Sequence, residues 1–323
     1  MRAAVYHRYG PPEVVSVQEV PTPSPGPREL LVRVRATTVS TADWRARALA
    51  MPPGFGLFGR LAFGIRAPRR AILGSEFAGD VVAVGSEVRD FAVGEAVIAF
   101  QGFRMGGHAE FVTTPADGVV VRKPAALSYQ DAAALPFGGT TGLEFFSRAG
   151  LRAGERVLIN GASGTVGSAM VQLAVHAGAD VTAVCSAANA ALMRELGARR
   201  VIDYATTDFA ATGERYDVIV DTVGTAPYAR SRGALAERGR LLLVLASLGE
   251  LLRAPWVSRT TRHRVVAGPV RERREDLQAI VDLAVAGRFR PVIDRCVPLD
   301  GIVEAHRRVE SGRKRGSVVV EVG

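Results

Sequence analysis

A chain of 323 residues with 48% hydrophobic and 23% charged residues has the profile of a soluble globular protein and exceeds one ordinary core, so two domains are expected. It has no run of about 18 apolar residues to span a membrane and no apolar stretch near its start to act as a signal peptide, so cytoplasm is the expected location. Its two cysteines, Cys185 and Cys296, stand far apart, which excludes a disulfide framework and a cysteine-built structural zinc site.

The net charge of +9 is almost all arginine, since Lys123 and Lys314 are the only lysines. The arginines are dispersed along the chain. Neither nucleic acid nor a membrane is therefore an expected partner, although the charge favours an anionic cofactor.

Residues 1–122 read as mostly β. Leu31–Arg35 alternates apolar and polar, the mark of a half-buried strand. Glu76–Val84, Ala96–Phe100 and Ala109–Val112 follow, punctuated by Gly85, Gly94, Gly106 and Gly107, which predicts a barrel-like antiparallel unit. Pro21–Pro27 carries too many prolines for helix or central strand and reads as an extended connector. The segment Met51–Phe63 mixes Phe55, Phe58 and Phe63 with Gly and Pro. It is expected to line or cover an apolar substrate pocket.

From about residue 124 the pattern changes to helices alternating with short apolar strands. Val157–Asn160, Val181–Val184, Asp217–Val220 and Leu241–Leu245 are near-continuous apolar runs, as in a parallel sheet covered on both faces. The expected fold is α/β, with a doubly wound Rossmann domain over 123–269. A helix from about Arg274 to Gly287 and a last strand, Ser317–Val322, complete the chain.

The motif Val157–Gly167 places a glycine turn between a strand and a helix. The helix N-terminus offers free N–H groups and a positive dipole end to a pyrophosphate. Gly164 permits close approach of the phosphates and Gly167 close packing of helix on strand, with Ala162 where the common fingerprint has its first glycine. Ala162, Ser163, Gly164, Thr165, Val166 and Gly167 are the candidate cofactor contacts. An acidic residue about 20 positions beyond the turn would select NAD. This chain has Ser186 and Asn189 there, with Tyr204 after the next strand. These side chains can hydrogen-bond a 2′-phosphate, so NADPH is expected. Ser186 and Asn189 can also cap the following turn and helix.

The motifs Gly161–Gly167, Val181–Ser186, Leu196–Ala198 and Val201–Tyr204 resemble those of the zinc-free quinone oxidoreductase branch of the medium-chain dehydrogenase/reductase superfamily. Tyr9–Glu13, Gly74–Gly79, Gly107–Val112, Asp221–Gly224 and Pro291–Asp294 carry the resemblance almost end to end. It implies a mostly β, GroES-like catalytic domain from 1–122 and 270–323, an active site in the interdomain cleft, and a homodimer. Zinc-dependent relatives place Cys, His and Cys at positions that match Ser40, Ser75 and about Pro136 here. None of the three is a good zinc ligand. His7, His108, His176, His263 and His306 show no ligand spacing, so no metal is expected.

Without a metal, the implied reaction is hydride transfer from NADPH to a quinone or an α,β-unsaturated carbonyl. The resemblance puts Ser40 and Thr141 beside the nicotinamide and suggests Val223, Ala246, Lys314 and Arg315 as further cofactor contacts. Phe137 joins Phe55 and Phe58 as substrate-pocket candidates, and Asp43 is expected to orient local backbone. Zinc-type alcohol oxidation and an NADPH-binding sensor or RNA-binding protein without turnover are the alternatives.

Overall fold

The computed structural model describes all residues, Met1–Gly323. Seven strands occupy the first part of the chain: β1 (Arg2–Tyr6), β2 (Val15–Glu19), β3 (Glu29–Val39), β4 (Glu76–Val84), β5 (Ala96–Phe100), β6 (Phe111–Pro115) and β7 (Val120–Arg122). Between β3 and β4 lie helices α1 (Thr41–Ala48) and α2 (Gly56–Phe63). Helices α3 (Tyr129–Ala133) and α4 (Pro136–Ala149) follow β7.

Strand and helix then alternate through β8 (Arg156–Asn160), α5 (Thr165–His176), β9 (Asp180–Cys185), α6 (Ala190–Glu195), β10 (Arg200–Asp203), β11 (Tyr216–Asp221), α7 (Tyr228–Ser231), β12 (Leu235–Leu243), α8 (Leu248–Thr260) and β13 (Arg264–Ala267). The tail adds α9 (Arg274–Val285), β14 (Ile293–Pro298), α10 (Ile302–Glu310) and β15 (Ser317–Glu321).

The chain forms two compact units, one of residues 1–51, 56–140 and 272–323, the other of residues 52–55 and 141–271. The sequence texture changes near 123, but residues 123–140 pack with the first unit and the division falls inside α4.

The first unit is built on a seven-stranded sheet of order β14-β15-β3-β4-β5-β7, with β6 also on β3. Its strands pair antiparallel except β14 with β15. The alternation in β3 produces this directly: Leu30, Val32, Val34 and Ala36 are all fully buried. Leu30, Val32 and Val34 join Phe77, Val97, Val318 and Val320 in one core. β3 is long enough to serve two neighbours, β6 along Glu29–Arg33 and β15 along Ala36–Val39.

The second unit is a six-stranded parallel sheet of order β10-β9-β8-β11-β12-β13. This is the Rossmann order, with the direction of winding reversing between β8 and β11. Val157, Leu158 and Ile159 in β8 and Val218, Ile219 and Val220 in β11 are completely buried, as apolar runs in a sheet covered on both faces must be.

Candidate active site

In the second unit, the ends of β8 and β11 meet at the switch point. Gly161 takes φ +78, and a Cβ there would lie 2.5 Å from both Thr222 Oγ1 and Val223 Cγ1. Gly161 N and Ala162 N both donate to Val184 O, at 3.1 and 3.0 Å, tying the turn to β9. Ala162 is fully buried and its N–H is already engaged, so it shapes the turn and has no donor left for a phosphate. Gly167 lies beneath: a Cβ would overlap Gly161 O and come within 2.8 Å of Ala162 Cα. At Gly164 a Cβ would meet only Gly161 O, at 3.6 Å.

Gly164 is also the N-cap of α5, with no side chain capping the helix. The helix start thus carries no capping side chain of its own, and a helix N-terminus is suited to a pyrophosphate. The facing loop is held by Asp221, completely buried at the end of β11. It accepts from Val223 N (3.2 Å), Gly224 N (3.0 Å), Ala226 N (2.7 Å) and Asn160 Nδ2 (3.0 Å).

Ser186 follows β9 and accepts from Asn189 Nδ2 at 3.1 Å. Neither side chain caps its helix, so the capping role foreseen for them is not the one they fill. Tyr204 follows β10, is largely exposed, and donates its N–H to Cys185 O at 3.2 Å. Ser186, Asn189, Tyr204, Val223 and Ala246 thus all lie beyond the C-terminal ends of sheet strands, the ligand side of a doubly wound fold.

In the first unit, Ser40 and Asp43 form a reciprocal capping box at the start of α1. Ser40 Oγ donates to Asp43 Oδ2 at 2.6 Å, and Asp43 N donates back at 3.2 Å. Asp43 also accepts from Gly74 N at 2.8 Å. The carboxylate thus orders backbone, as the sequence predicts, and holds the Ser40 hydroxyl as well.

Glu76 is almost fully buried. It accepts from Thr38 Oγ1 and from Phe137 N, the latter at 2.6 Å. Burial raises its carboxyl to about 8, against the hydrogen bonds from Thr38 and Phe137. Burial lowers the Lys314 amine to about 8, opposed by the charges of Asp294 and Glu76. Lys314 Nζ donates to Gly316 O at 2.6 Å, and Arg315 N donates to Asp294 Oδ1 at 3.1 Å. The Phe137 and Phe100 rings meet edge to face with centroids 6.3 Å apart.

Ser75 Oγ and Gln101 Oε1 are buried with no hydrogen-bond partner, in segments joined by Gln101 N donating to Ser75 O at 2.6 Å. His108 and His306, 198 residues apart in sequence (306 − 108), meet with ring centroids 5.9 Å apart and are both fully buried. Sequence spacing gave no sign of this pair, because strand pairing and α10 bring it together.

Thr141 is buried on α4 in the second unit. Phe58 is on α2, a two-turn helix within the segment expected to line or cover the substrate pocket. Phe55 is half-buried in the short stretch counted with the second unit.

Zinc does not fit these residues. Ser40 is committed to Asp43, Ser75 offers a neutral hydroxyl, and Pro136 has no donor side chain. No three His, Cys, Asp or Glu side chains assemble into a metal-binding group.

Residues 26–125 match the alcohol dehydrogenase GroES-like domain family and residues 196–320 match the zinc-binding dehydrogenase family. The chloroplast envelope quinone oxidoreductase homolog of Arabidopsis thaliana is 30% identical over 339 residues, covering 99% of this chain and 98% of that protein. The chain belongs to the medium-chain dehydrogenase/reductase superfamily, in its quinone oxidoreductase-like branch. The 2-methylene-furan-3-one reductase of Solanum lycopersicum is 28% identical, over 99% of this chain and 79% of that protein. The solved quinone oxidoreductase of Coxiella burnetii superposes with a TM-score of 0.90 at 29% identity, covering 100% and 99% of the two chains. As a member of this NAD(P)H-dependent branch, the protein is an oxidoreductase. The matched family is named for zinc, whereas Ser40, Ser75 and Pro136 offer none of the usual zinc-binding side chains.

Proposed function

We propose that this oxidoreductase transfers hydride from NADPH to quinones or α,β-unsaturated carbonyls without zinc. The observation that carries the reading is that Ser40, Ser75 and about Pro136, which the resemblance matches to a zinc-ligand set, offer no zinc-binding side chain in a chain that keeps the Rossmann turn. A simple ketone or alcohol needs a Lewis acid or a proton relay for hydride transfer, whereas a conjugated acceptor is already electron-poor. Relatives named as quinone oxidoreductase and 2-methylene-furan-3-one reductase support the same class.

NADPH, when bound, supplies the hydride from its nicotinamide. The chain's part is to bind and orient. Ser163 to Gly167 would hold the pyrophosphate, with Ala162 fixing the turn beneath. Ser186, Asn189 and Tyr204 would take the 2′-phosphate, which no carboxylate directly after β9 repels. Val223 and Ala246 would line the cofactor's path, and Lys314 and Arg315 would add positive charge. Ser40, held by Asp43, and Thr141 are assigned to the reacting end of the substrate. Phe55, Phe58 and Phe137 are assigned to its apolar body. The resemblance further supports a homodimer.

The test is NADPH consumption by metal-stripped protein across quinones, 2-alkenals, 2-enones and simple aldehydes, with NADH alongside. Turnover of the first three that survives a chelator and weakens with NADH supports the reading. A requirement for added zinc, or a preference for NADH, overturns it.

A further inference from the structure

Helix α2 and the turn after it present an apolar surface to solvent. Leu57 is 68% exposed, Phe58 55%, Leu61 49% and Ile65 58%. Leu57 and Leu61 are one helical turn apart and therefore share a face. Gly59 fixes that face outward, because it is buried and a Cβ there would collide with the Met51 side chain. Phe103, 74% exposed, widens the patch through its ring contact with Phe63, centroids 5.8 Å apart.

The same stretch is strongly basic. Arg60, Arg66, Arg69 and Arg70 fall within it, and no Asp or Glu occurs between Asp43 and Glu76. Arg60 donates to Ile65 O at 3.1 Å. Arg66, Arg69 and Arg70 are exposed and take part in no ion pair. Elsewhere in this unit Arg2, Arg28, Arg35, Arg104, Arg122 and Arg307 each face a carboxylate.

We infer that α2 and residues 64–70 are a peripheral docking surface for an anionic lipid bilayer. The leucine face would enter the boundary between headgroups and acyl chains, and the arginines would meet lipid phosphates. No helix of the chain is long and apolar enough to cross a membrane; docking of this kind needs none, so it goes beyond the expectation of no membrane partner. A second copy of the chain fits less well, because a symmetric contact through this patch would bring the same unpaired arginines against each other. A nucleic acid would use the arginines and leave the leucines in water. If the proposed reaction holds, docking would deliver the enzyme to acceptors dissolved in the bilayer. Docking itself does not depend on that reading.

The experiment is flotation of the full chain with vesicles of phosphatidylcholine alone, or of phosphatidylcholine and phosphatidylglycerol in equal amounts, at low and high salt. The wild type should float with the mixed vesicles only, and less so as salt rises. Arg66→Ser with Arg69→Ser and Arg70→Ser should weaken binding by about a hundredfold. Leu57→Gln with Leu61→Gln should weaken it by about tenfold or more. A charge-matched control, Arg232→Ser with Arg238→Ser and Arg288→Ser, should bind nearly as the wild type, which separates this patch from net charge. Circular dichroism and NADPH affinity show that each variant is folded. No flotation with mixed vesicles, or equal losses in patch and control variants, overturns the inference. So does a leucine variant that changes the sedimentation coefficient without vesicles, which would assign the patch to a second copy.

Discussion

Gly164 and Gly167 are three residues apart in one turn, yet the structure asks different things of them. At Gly167 an added methyl overlaps Gly161 O and approaches Ala162 Cα to 2.8 Å. Both obstacles are backbone, so either the turn or α5 must move. Overpacking of this kind costs about 1–3 kcal/mol, and Gly167→Ala should lower the melting temperature and weaken NADPH together.

At Gly164 the only neighbour of an added methyl is Gly161 O at 3.6 Å, ordinary contact. Its φ of −76 suits any residue. Gly164→Ala should therefore leave the fold as stable as before, or raise stability by a few tenths of a kcal/mol through the unfolded chain. If a pyrophosphate lies against this backbone, the methyl intrudes on it. A clash of about 1–3 kcal/mol corresponds to roughly 5- to 150-fold weaker NADPH binding. Thermal unfolding and NADPH fluorescence titration on both variants separate the two roles. Unchanged NADPH affinity in Gly164→Ala would refute the placement of the phosphates.

Three other outcomes are expected. Ser186→Asp puts a carboxylate after β9 and should shift preference from NADPH toward NADH by about tenfold or more in kcat/KM; an unchanged ratio would remove the 2′-phosphate from this position. Burial beside His108 and Arg47 holds His306 well below its usual value, so it folds neutral. The unfolded chain then binds the extra proton, and stability present above about pH 6.5 is lost as pH falls below it, by up to about 1.4 kcal/mol per pH unit. His306→Leu should flatten that slope between pH 6.5 and 5, read from melting temperature against pH; an unaltered slope would place the acid sensitivity elsewhere. Phe58→Ala should raise KM for bulky quinones and leave NADPH affinity alone; weakened NADPH binding would count against its assignment to the substrate.

Most of the fold was legible because its causes are local. The alternation around Leu31–Arg35 and the apolar run at Val157–Asn160 each imply how many faces of their sheets are buried. The glycine turn announced itself through strand, turn and helix in succession. What escaped depends on distant parts of the chain. The apolar run marks β12 as Leu241–Leu245, but the strand runs Leu235–Leu243, because the parallel pairing with β11 carries it through the polar stretch Ala236–Gly239 across a register shift. The sequence pattern starts β6 at Ala109, but the strand spans Phe111–Pro115, since pairing with β3 sets its ends. Four glycines and prolines among Met51–Gly56 hid the helix that follows. The burial of Glu76, the idle hydroxyl of Ser75 and the His108–His306 contact have no sequence period at all.

The place of β15 bears on how the protein is made. Residues 317–321 are an interior strand between β14 and β3, so the first sheet stays open until these residues have left the ribosome. Residues 141–271 form their own sheet within one uninterrupted stretch and can mature during synthesis, as domains generally do. Until then β3 waits with an unpaired edge along Ala36–Val39, a segment open to the wrong partner. Deletion of residues 317–321 would therefore remove an interior strand and leave that edge permanently bare.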